Sequence, residues 1–219
     1  MNLIAHRGLT TNHLENTKEA ILDALSSEAI DGVEFDIRMT KDKKMVVHHD
    51  DSLKRVFKKD KVISKLTLNE LKKIEPRVPS LESILNSVKN YKYLLIEMKV
   101  KRDNYKIYVH EFYKIIDIYK HLNIIVTSFN KNALTYLSKL DKTLKPALLT
   151  YEIPLTLPLL FDLALNYKYL DSTIINRIVE EGKNIFLWVV NDPSHILDIK
   201  KEDNLFIITD DPLKFTKQE

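Results

Sequence analysis

Glu34 and Asp36 stand two residues apart in the run Gly32-Val33-Glu34-Phe35-Asp36-Ile37-Arg38-Met39. Successive strand side chains point to opposite faces, so Val33, Phe35 and Ile37 share one face and Glu34, Asp36 and Arg38 the other. In a parallel barrel both faces are covered, one by helices and one by the barrel interior. Two carboxylates side by side in such a place repel one another and are costly to desolvate. A hard divalent cation, which prefers oxygen ligands, would resolve that cost. An exposed edge strand, or pairing with Arg38 and another basic group, would resolve it too. A second run, Leu94-Leu95-Ile96-Glu97-Met98-Lys99, ends with Glu97 and Lys99 on one face. A third carboxylate at the C-terminal end of a strand strengthens the cation reading, because barrels carry their catalytic groups at that end. Lys99 could neutralise an anionic ligand beside the cation; the plainer alternative is a Glu97–Lys99 structural ion pair.

The histidines add acid–base chemistry. His6 closes the first apolar run and is followed by Arg7 and Gly8, while His48 and His49 close Met45-Val46-Val47 and are followed by Asp50. Two imidazoles can serve as general acid and general base around one phosphorus, since an ordinary pKa of about 6.5 permits either role. Arg7 offers a planar fork suited to phosphate. Strand alternation sends His48 and His49 to opposite sides, so only one easily faces a shared site. His13, His110, His121 and His195 fall in helix-like or loop contexts and read as surface or structural residues. No Ser nucleophile elbow, HExxH or EF-hand loop occurs; Ser128 follows an apolar run but lacks the glycines of an elbow.

These groups need a scaffold of strand ends. Short apolar runs at Asn2–Ala5, Val33–Met39, Tyr93–Met98, Ile124–Ser128, Lys145–Leu149, Ile185–Val190 and Leu205–Thr209 mostly lack strict alternation, as buried parallel strands do. A weaker eighth lies near Leu163–Tyr167. Helix-like segments fall between them: Asn16–Leu25, Leu81–Val88 behind a Ser80 cap, a stripe from Tyr105 to Tyr119, Ala133–Leu140, Ser172–Glu181 and Pro193–Lys200. Repeated strand–helix units over 219 residues predict an α/β fold, a (β/α)8 barrel or a doubly wound sheet, in a single domain spanning residues 1–219.

Composition sets the exclusions. The chain has no Cys, which removes thiol nucleophiles, disulfide scaffolds and Cys-ligated metals. Its 3 Gly residues lie far apart, so no glycine-rich phosphate loop exists and phosphate must be held another way. A net charge of +3 is too balanced to indicate nucleic-acid binding. No signal-peptide pattern or membrane-length apolar run occurs, so a soluble cytoplasmic protein is the expectation. Residues 41–73 carry eleven Lys/Arg against five Asp/Glu. That is a solvated loop-and-helix region or, alternatively, a weak contact for an acidic partner or membrane surface.

In order, His6-Arg7-Gly8, Glu15-Asn16-Thr17, Glu34-x-Asp36, His49-Asp50-x-x-Leu53-x-Arg55 and Glu97-x-Lys99 resemble the glycerophosphodiester phosphodiesterase family. Pro79-Ser80-Leu81-Glu82, Ser128-Phe129, Trp188-Val189-Val190-Asn191 and Thr209-Asp210-Asp211-Pro212 agree, so the likeness covers residues 4–212. The resemblance implies a TIM barrel with a site at the strand C-termini; the short stretch from His49 to Glu97 departs from some members in leaving room for little or no capping insertion. It implies one divalent cation, Mg2+ or Ca2+, held by Glu34, Asp36 and Glu97, with His6 and His49 as the acid–base pair. Arg7 and Lys99 would hold the phosphoryl oxygens, and Trp188 would line the substrate pocket. The implied reaction is hydrolysis of a glycerophosphodiester to glycerol 3-phosphate and an alcohol, through attack by the substrate's own glycerol hydroxyl and a cyclic phosphate. Val189 stands where the family often has Thr, and residues 151–171 depart from its pattern. The alternatives are lysophospholipase D-type activity, a related sphingomyelinase D-type lyase, and a catalytically inactive binding barrel.

Overall fold

Strand hydrogen bonds in this chain close on themselves. In the computed structural model the strands are β1 (Asn2–His6), β2 (Gly32–Met39), β3 (Met45–Val47), β4 (Tyr93–Met98), β5 (Ile124–Ser128), β6 (Ala147–Thr150), β7 (Asp162–Asn166), β8 (Ile185–Trp188) and β9 (Leu205–Thr209). The structure describes every residue except 90, 152–159, 170, 172, 174, 176, 177, 179, 180, 197–201 and 216–219. Eight strands pair in parallel in the order β1-β2-β4-β5-β6-β7-β8-β9, and β9 returns to β1. That closure makes the fold a TIM (β/α)8 barrel and excludes the doubly wound sheet. Only β3 lies outside the ring among the described strands, antiparallel to β2.

Around the ring run α1 (Lys18–Ser26), α2 (Lys54–Phe57), α3 (Leu68–Ile74), α4 (Leu81–Leu85), α5 (Tyr105–Ile116) and α6 (Lys131–Leu140). The Ser80 side chain accepts from the Ser83 N–H and so caps α4. Helix α5 turns Tyr108, Val109, Phe112 and Ile116 inward, each worth about 1.5–3 kcal/mol of apolar burial. The weak eighth run is a true strand, β7. The expected helix Ser172–Glu181 lies largely outside the described residues. The expected helix Pro193–Lys200 is a short 3-10 turn, Pro193–Ile196, with the remainder outside the described residues. Residues 48–80, which hold most of the basic region, fold with Val46 of β3 over a separate apolar cluster that includes Leu53, Phe57, Ile63 and Leu71. No described helix is long and apolar enough to cross a membrane.

The alternation rule sorts each strand into a helix-facing and a barrel-facing set. On β2, Val33, Phe35 and Ile37 join the large core under the helices, leaving Glu34 and Asp36 for the interior. The lower interior is filled by Ile4, Leu95, Ala164, Phe186 and Phe206. One step toward the C-terminal rim, the same columns present His6 above Ile4, Glu97 above Leu95 and Trp188 above Phe186. An apolar plug therefore carries a polar upper layer.

This closure needs a residue without a side chain at Gly32, where β1, β2 and β4 converge. A Cβ there would stand 2.5 Å from the Tyr93 carbonyl oxygen and 2.8 Å from Ile4 Cδ1. Gly32→Ala is expected to destabilise the fold by about 1–3 kcal/mol through overpacking, read as a lower denaturation midpoint; an unchanged midpoint would contradict this packing.

Candidate active site

Strand register brings the chemistry together. His6 pairs in register with Glu34, and Asp36 with Glu97. Glu34, Asp36 and Glu97 each offer an oxygen, all within 4.8 Å of one another. All three are buried, Asp36 to 1% exposure.

The chain after β1 turns sharply to support this cluster. Arg7 takes a left-handed φ of 58° and Gly8 one of 89°. A Cβ on Gly8 would meet the Ala20 backbone at 2.6 Å, so only glycine fits between this turn and α1. The strained Arg7 backbone is held at both ends: its N–H donates to Glu34 Oε2 at 3.0 Å, and its carbonyl accepts from the Asn16 N–H at 2.9 Å. Asn16 in turn clamps Asp36, donating to Oδ2 at 2.8 Å and accepting from the Asp36 N–H at 3.0 Å.

Two cations face the three carboxylates. Lys99 Nζ lies 2.6 Å from Glu97 and 3.1 Å from Asp36, and Arg7 Nε lies 3.4 Å from Asp36. Arg7 Nε is buried and has no hydrogen-bond partner, while its Nη1 donates to Glu15 at 2.9 Å. Arg38 does not neutralise the carboxylate pair. It turns outward to donate to the His49 carbonyl and pairs with Asp51, which fixes the loop after β3.

Burial opposes ionisation of Asp36, but Lys99 and Arg7 outweigh it and hold that carboxyl below its ordinary range. Glu34 goes the other way. Burial, then repulsion from Asp36 and Glu97, pushes it well above the usual carboxylate range. Burial and Asp36 likewise push Glu97 up to about 7 despite Lys99. Two cations thus leave the cluster short of positive charge. Hard oxygen donors, close spacing and this residual repulsion fit a divalent cation. Counting these five groups, one net negative charge would become one net positive, the complement of a phosphodiester's single negative charge.

The histidines are oriented by carboxylates. His6 Nδ1 lies 2.6 Å from Asp210 Oδ1, and His49 Nδ1 lies 2.7 Å from Asp50 Oδ1. A carboxylate only accepts, so each Nδ1 donates and each Nε2 is left as the working nitrogen. His6 Nε2 is 3.9 Å from Glu34. Burial, with Lys99 and Arg7 beyond it, pulls His49 below the ordinary imidazole range against Asp36 and Asp50, which favours its neutral form. His48 points away. It is buried, donates from Nε2 to the Ser52 carbonyl at 3.0 Å and stacks on Phe57.

His6, Arg7, Glu34, His49, Glu97, Lys99 and Trp188 all line one cavity of about 250 Å3 at the C-terminal rim. Asp36 lies beneath it. The opposite wall is apolar, with Leu149, Phe129, Tyr151 and Trp188. Every site residue expected from the sequence is therefore gathered at one place. Asp210, Asp50, Glu15, Asn16 and Arg55 also take part, although sequence reasoning gave them no role. Arg55 bridges Glu15 at 2.6 Å and Asp50 at 2.6 Å, tying the Arg7 turn to the His49 loop. Asp210 follows Ile208 by two residues, so the alternation along β9 already directed it inward. The partners on the loops carried no such periodic signal.

Comparison with known proteins agrees with this geometry. The profile of the glycerophosphoryl diester phosphodiesterase family matches residues 6–214. A glycerophosphodiester phosphodiesterase of Caldanaerobacter subterraneus is 30% identical, over 96% of this chain and 94% of the relative. The crystal structure of a glycerophosphodiester phosphodiesterase from Thermotoga maritima aligns with a TM-score of 0.78 at 28% identity, covering 99% of this chain and 97% of that one. A phosphodiesterase from Oleispira antarctica, solved with its product sn-glycerol-3-phosphate, aligns with a TM-score of 0.85 at 22% identity over 99% of this chain and 95% of that one.

The raised Glu97 has a stability consequence with a definite sign. Its folded-state pKa of about 7 exceeds the ordinary 4.5. Its contribution to stability is therefore complete below pH about 4.5 and is lost as pH rises through about 7. With chelator present, Glu97→Gln is expected to flatten the fall in stability across that window, a difference of at most about 3 kcal/mol at pH 8. Identical pH profiles for the variant and the parent chain, read from chemical denaturation, would contradict the assignment.

Proposed function

The chain belongs to the glycerophosphoryl diester phosphodiesterase family, and from that premise we propose that it hydrolyses glycerophosphodiesters to glycerol 3-phosphate and an alcohol. One observation carries this reading: two histidines, each backed by a carboxylate at Nδ1, line a single cavity with Glu34 and Glu97, which cluster with buried Asp36.

Glu34, Asp36 and Glu97 would hold one divalent cation, Mg2+ or Ca2+. When bound, it supplies Lewis-acid charge at the phosphoryl oxygens and fixes the orientation of the phosphate. Arg7 and Lys99 hold the phosphoryl oxygens and stabilise the charge that grows on them. In the first step the neighbouring glycerol hydroxyl attacks phosphorus, and its proton passes to Nε2 of neutral His49. The bond to the leaving alcohol breaks as His6 Nε2 delivers a proton to that oxygen. A cyclic glycerol phosphate remains. In the second step water attacks phosphorus, giving its proton to His6, and His49 returns its proton to the ring oxygen as the ring opens. Both histidines end as they began. Asp210 and Asp50 stabilise each imidazolium as it forms and hold each ring in the required tautomer.

The apolar wall of Leu149, Phe129, Tyr151 and Trp188 favours a second reading, lysophospholipase D-type activity. Phe129 and Tyr151 are 45% and 54% exposed at the mouth, where an acyl chain could lie. A weak membrane-surface contact through residues 41–73, a single domain over residues 1–219 and a cytoplasmic setting belong to the same proposal.

His6→Ala and His49→Ala should each lower kcat by at least about 100-fold on glycerophosphocholine or glycerophosphoethanolamine. His48→Ala should lower the melting temperature while leaving kcat within about threefold, because its ring packs on Phe57 away from the cavity. Loss of activity in His48→Ala with full activity in His49→Ala would reverse the assignment. EDTA should abolish release of glycerol 3-phosphate, and release that survives it would contradict the cation.

A further inference from the structure

Beyond β8 the chain stays beside β9, with the Val190 N–H donating to the Ile208 carbonyl at 2.9 Å. That register sets Asn191 against Thr209, which ends β9, and against Asp210, which follows it. The Asn191 amide grips Asp210 twice. Its Oδ1 accepts from the Asp210 backbone N–H at 2.9 Å, and its Nδ2 donates to Asp210 Oδ2 at 2.7 Å. The hydroxyl of buried Thr209 donates to the same Oδ1 at 3.1 Å and accepts from the Asp211 N–H at 3.2 Å. A backbone N–H can only donate, so the amide has one orientation, with Nδ2 toward the carboxylate.

Both Asp210 oxygens are then engaged, Oδ2 by Asn191 and Oδ1 by His6 Nδ1 at 2.6 Å. The carboxylate needs the second hold. Its side chain is 49% exposed, so packing alone does not fix its rotamer. The other histidine is supported in the same way: Asp50 gives Oδ1 to His49 Nδ1 and takes Arg55 Nε on Oδ2 at 2.6 Å. Asn191 is the counterpart of Arg55, and it holds its carboxylate without bringing a competing positive charge.

We propose that Asn191 is a positioning residue for the proton delivered to the leaving alcohol: by fixing Asp210 it fixes the ring of His6, whose Nε2 makes that delivery. This rests on the hydrolase reading above, in which His6 is the general acid of the first step. The effect belongs to the Nδ2 donor and not to the bulk of the side chain. Without that donor, Asp210 is free to turn toward water, and the His6 ring loses its partner at Nδ1.

The test varies the leaving group, because p-nitrophenolate departs without a proton and an alkoxide does not. Single-turnover cleavage is followed at pH 8 on glycerophosphoethanolamine and on the p-nitrophenyl ester of glycerol 3-phosphate, with Mg2+ and, in parallel, with Ca2+. His6→Ala sets the reference, at least about 100-fold slower on the first diester and within about fivefold on the second. Asn191→Ala should be about tenfold slower on glycerophosphoethanolamine, the loss of one hydrogen bond to a charged group, and within about twofold on the p-nitrophenyl ester, with half-saturation by either diester within about twofold. Asn191→Asp keeps the shape and the acceptor for the Asp210 N–H but turns an ionised oxygen toward the carboxylate, so it should lose at least as much as Asn191→Ala on glycerophosphoethanolamine. Equal slowing of both diesters by Asn191→Ala, or parental rates in Asn191→Asp, would overturn the positioning role while leaving the hydrolase reading intact. Equal slowing of both diesters by His6→Ala would overturn His6 as the acid, and the positioning role with it. Cleavage of neither diester by the parent enzyme would overturn the hydrolase reading itself.

Discussion

Glu34, Asp36 and Glu97 converge on one buried point because β2 and β4 are parallel neighbours in fixed register. Like charges in a water-poor interior cost several kcal/mol unless something opposes them. The surrounding structure can be understood as the set of groups that oppose them. Lys99 reaches across from β4, Arg7 comes from the turn after β1, and the Asn16 amide clamps Asp36. These hold the Asp36 carboxyl below its ordinary range but leave Glu34 and Glu97 raised above it. The remaining deficit is the physical basis for a cation site, and it links the fold to the chemistry.

The rest of the site hangs from the same constraint. The left-handed Arg7–Gly8 turn is strained, yet the Glu34 carboxylate holds its N–H and α1 leaves no room for a side chain at Gly8. His6 precedes that turn and is oriented by Asp210, while His49 lies on a loop held through Arg38 and Arg55, the latter tied to the Arg7 turn through Glu15. The apolar plug in the lower barrel keeps water from the base of the cluster, which strengthens every charge interaction above it. Rigid strand ends place the acids and one imidazole; short loops, cross-linked by ion pairs, place the other.

Much of this was legible in the sequence, for a physical reason. Strand periodicity is strict, so inward positions such as Glu34, Asp36 and Glu97 could be read from spacing alone, and seven barrel strands stood out as apolar runs. The β7 run was weak because polar Asp162 and Asn166 bound only three apolar residues, Leu163, Ala164 and Leu165. The choice between His48 and His49 was written in the alternation, but which one faced inward depended on the loop beyond β3. Alternation along β9 pointed Asp210 inward but not to its partner His6, 204 residues away, and the roles of Glu15 and Arg55 depended on loop contacts across 8 and 40 residues of chain, which no local pattern encodes. Arg38 illustrates the same limit: its position suggested a partner for the carboxylates, whereas the loop carbonyl of His49 and Asp51 claim it.

The central claim is that the buried carboxylates form a divalent cation site whose ligands must ionise on binding. Calorimetric titration of Mg2+ and of Ca2+ at pH 6.5, in two buffers of different ionisation enthalpy, tests it directly. The account predicts one site per chain and net proton release, shrinking by pH 8.5 and lost with binding in Glu34→Gln. Absence of binding, or binding with no proton exchange at pH 6.5, would contradict it.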